Sequence, residues 1–353
     1  MRSPSTGSVE DSSSASFQPG RAGHPPDGIP PVEGLRMDLD FSHEPVMVDE
    51  VVELFSEVPN GLVVDATVGG GGHASALLSA NSRLRLLGLD RDPAAVAAAE
   101  TRLSVFGSRA TVRHARFDAI RTVGEDQTSP TGPLVGVLFD LGVSSVQVDT
   151  PERGFSYRSD GPLDMRMDQT GGHSASELVN SASEEDLRQL LVENGEGRFA
   201  RRIVEAIIAA RPIETTGQLA EVVSSAIPMR ARSRKGHPAR RVFQALRIAV
   251  NDELNQLSTT LPTAITKLIP GGRCVAIAYH SGEDRVVKSC FAQAVSGGCA
   301  CPPGLPCVCG AVPIARLVFR GARRPSPAEV ERNHRSESAR LRAVERVEAG
   351  SSR

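Results

Sequence analysis

The sequence predicts an α/β chain: a doubly wound parallel sheet interrupted by an inserted all-helical domain. Three observations carry that expectation. Apolar runs that end in an acid recur as Leu62 to Asp65, Leu84 to Asp90 and Leu134 to Asp140. Helix-forming segments follow the first two, the alternation that builds βαβ units. From Gln147 to Arg241 the alternation stops, and only loops and helical patterns remain.

Residues 1–38 are rich in Ser, Pro and Gly and almost devoid of aliphatic side chains. Such a segment cannot bury enough surface to offset its ordering entropy, and it is expected to be a disordered tail. The segment His43 to Phe55 has a proline near its start and apolar residues at helical spacing, so it reads as a helix that lids the loop beyond it. Leu62-Val63-Val64-Asp65 then leads through Ala66-Thr67-Val68 into Gly69-Gly70-Gly71-Gly72-His73 and a helix over Ala74 to Ala80. That is a strand, a tight loop and a helix whose unpaired N–H groups face the loop. Glycine suits the loop because a Cβ there would collide with a ligand pressed on the backbone and because some positions need positive φ.

A second strand covers Leu84 to Leu89, a helix Ala94 to Leu103 after the Asp92-Pro93 start, a third strand Ala110 to Phe117 and a fourth Leu134 to Phe139. Helices are expected at Ser183–Glu193, Arg198–Arg211 and Thr216–Ala226 in the insertion. A long helix resumes after Pro238, with Phe243, Leu246, Val250, Leu254 and Leu257 on one buried stripe. Gly271 to His280 and Ala315 to Arg320 complete the sheet. The boundaries that follow are a tail over 1–38, a discontinuous sheet domain over 39–147 plus 242–353, and a helical substrate-recognition domain over 148–241.

Asp65, Asp90 and Asp140 at one edge of a parallel sheet make an acidic crevice. It would repel an anionic dinucleotide and favour S-adenosylmethionine, which has no phosphate and carries a sulfonium cation. The chain has 353 residues, 40% hydrophobic content and a net charge of −2, so it can bury a large core, and partners must be read from local charge. No apolar run approaches a membrane span and no signal-peptide core is present, which indicates a soluble, cytoplasmic protein without a membrane partner. Local charge points to nucleic acid. Arg230, Arg232, Arg234, Lys235, Arg240, Arg241 and Arg247 follow one another with no acid between them, a density suited to phosphate contacts. Arg232, Arg234, Lys235, Arg240 and Arg241 are the candidate RNA-binding residues. Four of the six cysteines, Cys299, Cys301, Cys307 and Cys309, lie close together. They can close a four-thiolate zinc site or remain thiols or an occasional disulfide; the C-x-C spacing is tighter than usual, and no metal is assigned.

Two clusters look chemical. The first runs Asp140-Leu141-Gly142-Val143-Ser144-Ser145-Val146-Gln147, then Arg153-Gly154-Phe155-Ser156 and Asp160-Gly161-Pro162-Leu163-Asp164-Met165-Arg166-Met167-Asp168. The second is His280-Ser281-Gly282-Glu283-Asp284-Arg285, where Ser281 reads as a helix N-cap. These motifs resemble the bacterial small-subunit (16S) ribosomal RNA cytosine-N4 methyltransferases from His43 to Arg342, with Val146, Gly282, His334 and Glu337 departing from the family pattern. The resemblance implies a class I S-adenosylmethionine-dependent methyltransferase with a Rossmann-like sheet. It implies transfer of methyl to the exocyclic amine of one decoding-region cytidine, with small-subunit ribosomal RNA or the small ribosomal subunit as partner. Carried over by motif, Gly71, Gly72, His73, Asp90, Phe117, Asp140 and Gln147 are the implied cofactor contacts.

The amine of cytosine is a poor nucleophile because its lone pair is conjugated into the ring, so the site must align it and accept its hydrogens. Asp140 is the candidate for orienting donor or amine; Asp164, His280 and Ser281 are candidates for holding the base, and Phe155 or Tyr157 for stacking on it. A methyltransferase acting on another nucleic acid, a protein or a small molecule, and a noncatalytic RNA-binding scaffold, are the alternatives. Oligomeric state, a homodimer included, is left open.

Overall fold

The computed structural model describes residues 45–123, 132–229, 237–302 and 308–348, so the tail expected over 1–38 lies outside the described residues. Seven strands form one sheet: β1 Gly61–Asp65, β2 Leu84–Asp90, β3 Ala110–His114, β4 Leu134–Asp140, β5 Arg273–Ala278, β6 Ala315–Leu317 and β7 Arg340–Arg346. Their order is β3-β2-β1-β4-β5-β7-β6. The first five are parallel, while β7 lies antiparallel between β5 and β6. Strand order reverses at β1, whose neighbours are β2 and β4, and in such sheets ligands bind in the crevice outside the carboxyl ends at that switch.

Both faces of the sheet are covered, which is why the central strands read as continuous apolar runs. Leu62, Val64, Val137, Phe139 and Ala276 point into one buried cluster, and Val63, Leu138, Val275 and Ile277 into the other. The helix Val48–Ser56 belongs to the second cluster through Val51, Leu54 and Phe55, so it is a core element more than a lid. Only its leading end approaches the glycine loop: a Cβ on Gly72 would fall 2.5 Å from the Pro45 ring.

Three expectations change, and one strand is added. Residues 340–346 form a sheet strand that sequence did not anticipate, in which Leu341, Ala343 and Val344 are buried while Arg340 is exposed and Arg342 and Arg346 are half-buried. The long helix after Pro238 is two helices, Arg240–Asn251 and Glu253–Lys267, broken where Asp252 turns left-handed at φ 51°. The third strand stops at His114, and Phe117 opens a short 3-10 turn. The strand expected over Ala315 to Arg320 ends at Leu317.

Between β4 and β5 the helices Ala175–Ser181, Glu184–Glu193, Ala200–Ala210 and Thr216–Ala226 start on side-chain caps at Ser174, Ser183 and Thr215, except Ala200–Ala210, which has none. They enclose a core of their own around Leu191, Ile203, Ile207, Leu219 and Val223. Val242, Phe243 and Leu246, which sequence put on the sheet side of a boundary after 241, pack in that helical core. So do Phe155, Leu163, Met165 and Met167 from the loop beside β4, which ties this loop to the helices.

Candidate active site

Parallel register brings the ends of β1, β2 and β4 to one edge, and each ends in an acid. The three are not equivalent. Asp65 is 1% exposed and accepts from the Thr67 amide at 3.3 Å. Burial, followed by the neighbouring Asp140 and Asp90, pushes its carboxyl up to about 8, so it is neutral at neutral pH and serves the turn. Of the three acids expected to line the crevice, Asp65 is therefore committed to the turn. Asp90 accepts from the Gly69 amide at 2.9 Å and the Asp92 amide at 2.9 Å. Burial outweighs those bonds and holds it at about 6.

Asp140 is fixed from three sides. Its amide donates to Thr67 Oγ1 at 2.7 Å, the Tyr279 hydroxyl donates to its Oδ1 at 2.7 Å, and His73 Nδ1 stands 3.6 Å from Oδ2. Burial raises this carboxyl above its usual range, against the opposing pull of His73 and Tyr279. The His73 ring is oriented by its Nε2, 2.9 Å from the Val46 carbonyl. In the glycine loop, Gly69 and Gly71 have φ of 51° and 78°, and Gly71 caps the helix Gly72–Ala80. Gly72 is demanded by Pro45 of the chain itself, a third reason beside the ligand approach and positive φ that sequence offered for the glycines.

A buried polar node lies beside the crevice. Asp92 caps the helix Pro93–Leu103 through Ala94 N at 3.0 Å, while its Oδ2 accepts from Gln147 Nε2 and from Arg153 Nη1, each at 2.8 Å. Gln147 also accepts from Ser144 N in a capping box, so its amide is largely committed to the protein. Arg153 Nη2 donates to the carbonyls of Arg166 and Met167 at 3.2 and 2.8 Å, and Asn251 holds Met165 O and Met167 N at 2.8 and 2.9 Å. These bonds hold Met165 at a positive φ of 61° and set the loop over 163–168. Phe117 is half-buried and packs edge-on against Phe139.

The residues expected to hold the acceptor divide into two groups. Asp164 braces its own loop: Oδ1 accepts from Arg166 N and Nε at 3.0 and 2.9 Å, and Oδ2 accepts from Arg166 Nη2 at 2.8 Å. Burial would raise this carboxyl, yet the bonds from Arg166 hold it below its usual range. The N-cap expected at Ser281 is instead His280, because a histidine Nδ1 reaches the next amides as a hydroxyl does. That atom accepts from Gly282 N and Glu283 N, Ser281 is the exposed first helical residue, and Nε2 stands 3.0 Å from Glu283 Oε1. A cavity of about 160 Å³ opens here, lined by Tyr279, His280, Ser281, Arg324, Glu337 and Arg340 among others. Tyr279 thus spans from this cavity to Asp140. Phe155 is 8% exposed in the helical core, and Tyr157 stacks on His237 at 4.9 Å, so neither ring is presented openly for stacking.

Arg232, Arg234 and Lys235 lie outside the described residues. Arg240 and Arg241 are exposed at the start of their helix, where Arg241 Nη1 is 3.6 Å from Glu196. Arg247, counted with the basic run, is half-buried and pairs with Glu253 at 2.8 Å, so its charge is taken up by the protein and not offered to a polyanion. Sequence did not single out Tyr279, Thr67 or Asp92 as parts of the site, and it placed Arg153 in a chemical cluster without a role. Tyr279 had one usable signal, as one of only two tyrosines in the chain, placed at a strand end beside the His280 cluster.

The profile of the MraW methylase family matches residues 40–347. Among curated relatives, "Ribosomal RNA small subunit methyltransferase H" of Symbiobacterium thermophilum is 50% identical over 317 residues, 88% of this chain and 99% of its own. The protein of that name from Heliobacterium modesticaldum is 46% identical over 312 residues, 87% of this chain and 99% of its own. The one from Mycobacterium sp. strain KMS is 48% identical over 318 residues, 87% of this chain and 84% of its own.

Proposed function

Because the chain belongs to the MraW methylase family, we propose that it transfers the methyl group of S-adenosylmethionine to the exocyclic N4 amine of one cytidine in the decoding region of small-subunit ribosomal RNA. The observation that carries the reading is the paired acids at the switch point. Asp90 and Asp140 stand beside a glycine loop at the carboxyl ends of parallel strands, where a sulfonium is favoured and a pyrophosphate opposed. In this reading Asp90 holds the ribose hydroxyls. Gly71, Gly72 and His73 line the donor with Asp140, Phe117 supports the adenine, and Gln147 offers its remaining N–H.

The amine would sit between the crevice and the cavity beside His280. Asp140, poised by Tyr279, accepts a hydrogen bond from it and aligns its lone pair with the methyl–sulfur bond. Asp164 then acts by fixing the loop over 163–168, and His280 and Ser281 by bounding the base. The helical segment 148–241, with Arg232, Arg234, Lys235, Arg240 and Arg241, is the proposed recognition domain that neutralises RNA phosphates. Among the described residues no helix is long and apolar enough to cross a membrane, which suits action in the cytoplasm.

Methyl-labelled donor, offered with unmodified small-subunit RNA, transfer RNA and a mixed protein extract in parallel, tests the proposal. Label confined to the small-subunit RNA is the expected result. Label on transfer RNA or protein alone would move the substrate to the runner-up class, and no transfer to any acceptor would favour a noncatalytic scaffold.

A further inference from the structure

The helix Ser281–Ser296 ends at Gly297, and Gly297, Gly298 and Gly310 all have positive φ, between 65° and 77°. The chain leaves on an excursion that returns against its own start: a Cβ on Gly297 would fall 2.4 Å from the Val312 carbonyl carbon. From Gly297 to Ile314 the described residues form no helix or strand. Among the described residues of this stretch the side chains supply little apolar burial, with Val308 89% exposed. A loop without a core of its own needs a cross-link to hold one shape.

Three thiols meet there. The sulfurs of Cys299, Cys301 and Cys309 all lie within 4.8 Å of one another, the first two half-buried and the third exposed. A tetrahedral zinc site with Zn–S bonds of about 2.3 Å separates its sulfurs by about 3.8 Å, so a small inward movement of the three side chains reaches bonding geometry. Thiolates are soft donors, which favours zinc over the hard cations calcium and magnesium. Partial exposure leaves a path of entry. Three protein thiolates leave one tetrahedral position for water or another donor; Cys307 lies outside the described residues.

We propose that Cys299, Cys301 and Cys309 bind a zinc ion that fixes the loop between the helix Ser281–Ser296 and β6. The ion is structural. The helix has 16 residues, so its far end, with His280, is about 24 Å away at 1.5 Å per residue, too far for the metal to touch the acceptor site. Each thiol gives up a proton on binding, so affinity weakens as pH falls.

The full-length chain, purified without chelator or added metal, is measured for zinc by plasma mass spectrometry, then stripped and titrated with cobalt(II). About one zinc per chain is expected, with thiolate-to-cobalt charge-transfer absorption on titration. Cys299→Ser/Cys301→Ser should abolish both signals and leave S-adenosylmethionine affinity, read by calorimetry, unchanged. Should that variant fail to fold, the cobalt spectrum of the parent chain and the zinc content of Cys309→Ser decide the matter. The proposal is overturned by zinc far below one per chain together with no cobalt–thiolate band. It is overturned equally by metal retained in the variants, or by a disulfide among these cysteines in non-reducing peptide mapping.

Discussion

Arg153→Met tests whether the buried node at Asp92 holds the site together. The substitution keeps the apolar stem of the side chain and removes the guanidinium. Asp92, 3% exposed, is then left with the Ala94 amide and Gln147 but no cation, and the carbonyls of Arg166 and Met167 lose their donor. Breaking a buried pair by removing one partner costs about 3–5 kcal/mol, because the surviving charge stays desolvated. Asp92→Asn keeps an oxygen for the helix cap while deleting the charge. The double variant should therefore recover about half or more of the loss, a coupling of about 1.5–3 kcal/mol within the range seen for neighbouring residues. Urea unfolding followed by far-ultraviolet circular dichroism on the parent, both single variants and the double completes the cycle. A loss under about 1 kcal/mol for Arg153→Met, or losses that simply add, would refute the reasoning.

Other outcomes follow from the same geometry. Asp65 holds a proton up to about pH 8 when folded and releases it near its usual 3.8 when unfolded. Stability of the ligand-free protein should thus fall as pH rises between those values. Melting curves from pH 5 to 8, where the carboxylates held low are already ionised in both states, should flatten in Asp65→Asn; an unchanged slope contradicts the assignment. Asp90→Ala should weaken donor binding by about 1.5–3 kcal/mol, and in the parent chain affinity should rise as pH passes about 6 and Asp90 ionises. Calorimetry showing equal affinity in variant and parent removes Asp90 from the ribose role. His280→Ala should cost about 1 kcal/mol through the lost cap and slow methyl transfer on the order of a hundredfold with donor affinity intact. A parental rate would exclude the ring from acceptor positioning. Neutralising Arg232, Arg234 and Lys235 should raise the RNA KM and reduce the log–log salt slope by about 0.7–0.9 for each phosphate that is no longer neutralised. An unaltered slope would make the run a solvated face.

The sheet was legible because its central strands are buried on both faces and therefore appear as nearly continuous apolar runs, those of β1, β2 and β4 closed by an aspartate. The last strand was not. Arg340 to Arg346 mixes arginines with apolar residues, and with Asp284 of the helix Ser281–Ser296 binding Arg340 and Arg342, charges that look solvent-bound are in fact neutralised. The break at Asp252 was hidden because apolar spacing continues through it from Leu246 to Leu257. Within the site, strand-end acids and glycine positions could be read locally. The neutral state of Asp65, the tie from Tyr279 to Asp140 and the convergence of Gln147 and Arg153 on Asp92 depend on burial and on bonds across 55 to 139 residues of chain, which no local pattern records.

Mass spectrometric mapping of methylated nucleosides decides the central claim. The protein is incubated with S-adenosylmethionine and either unmodified small ribosomal subunits or their deproteinised RNA, and the RNA is then digested and sequenced by fragment mass. N4-methylcytidine at a single decoding-region position is the expected product, absent when Asp140→Ala replaces the parent chain. Methyl on a ring carbon, on another base or at scattered cytidines would contradict it, as would full methylation by Asp140→Ala.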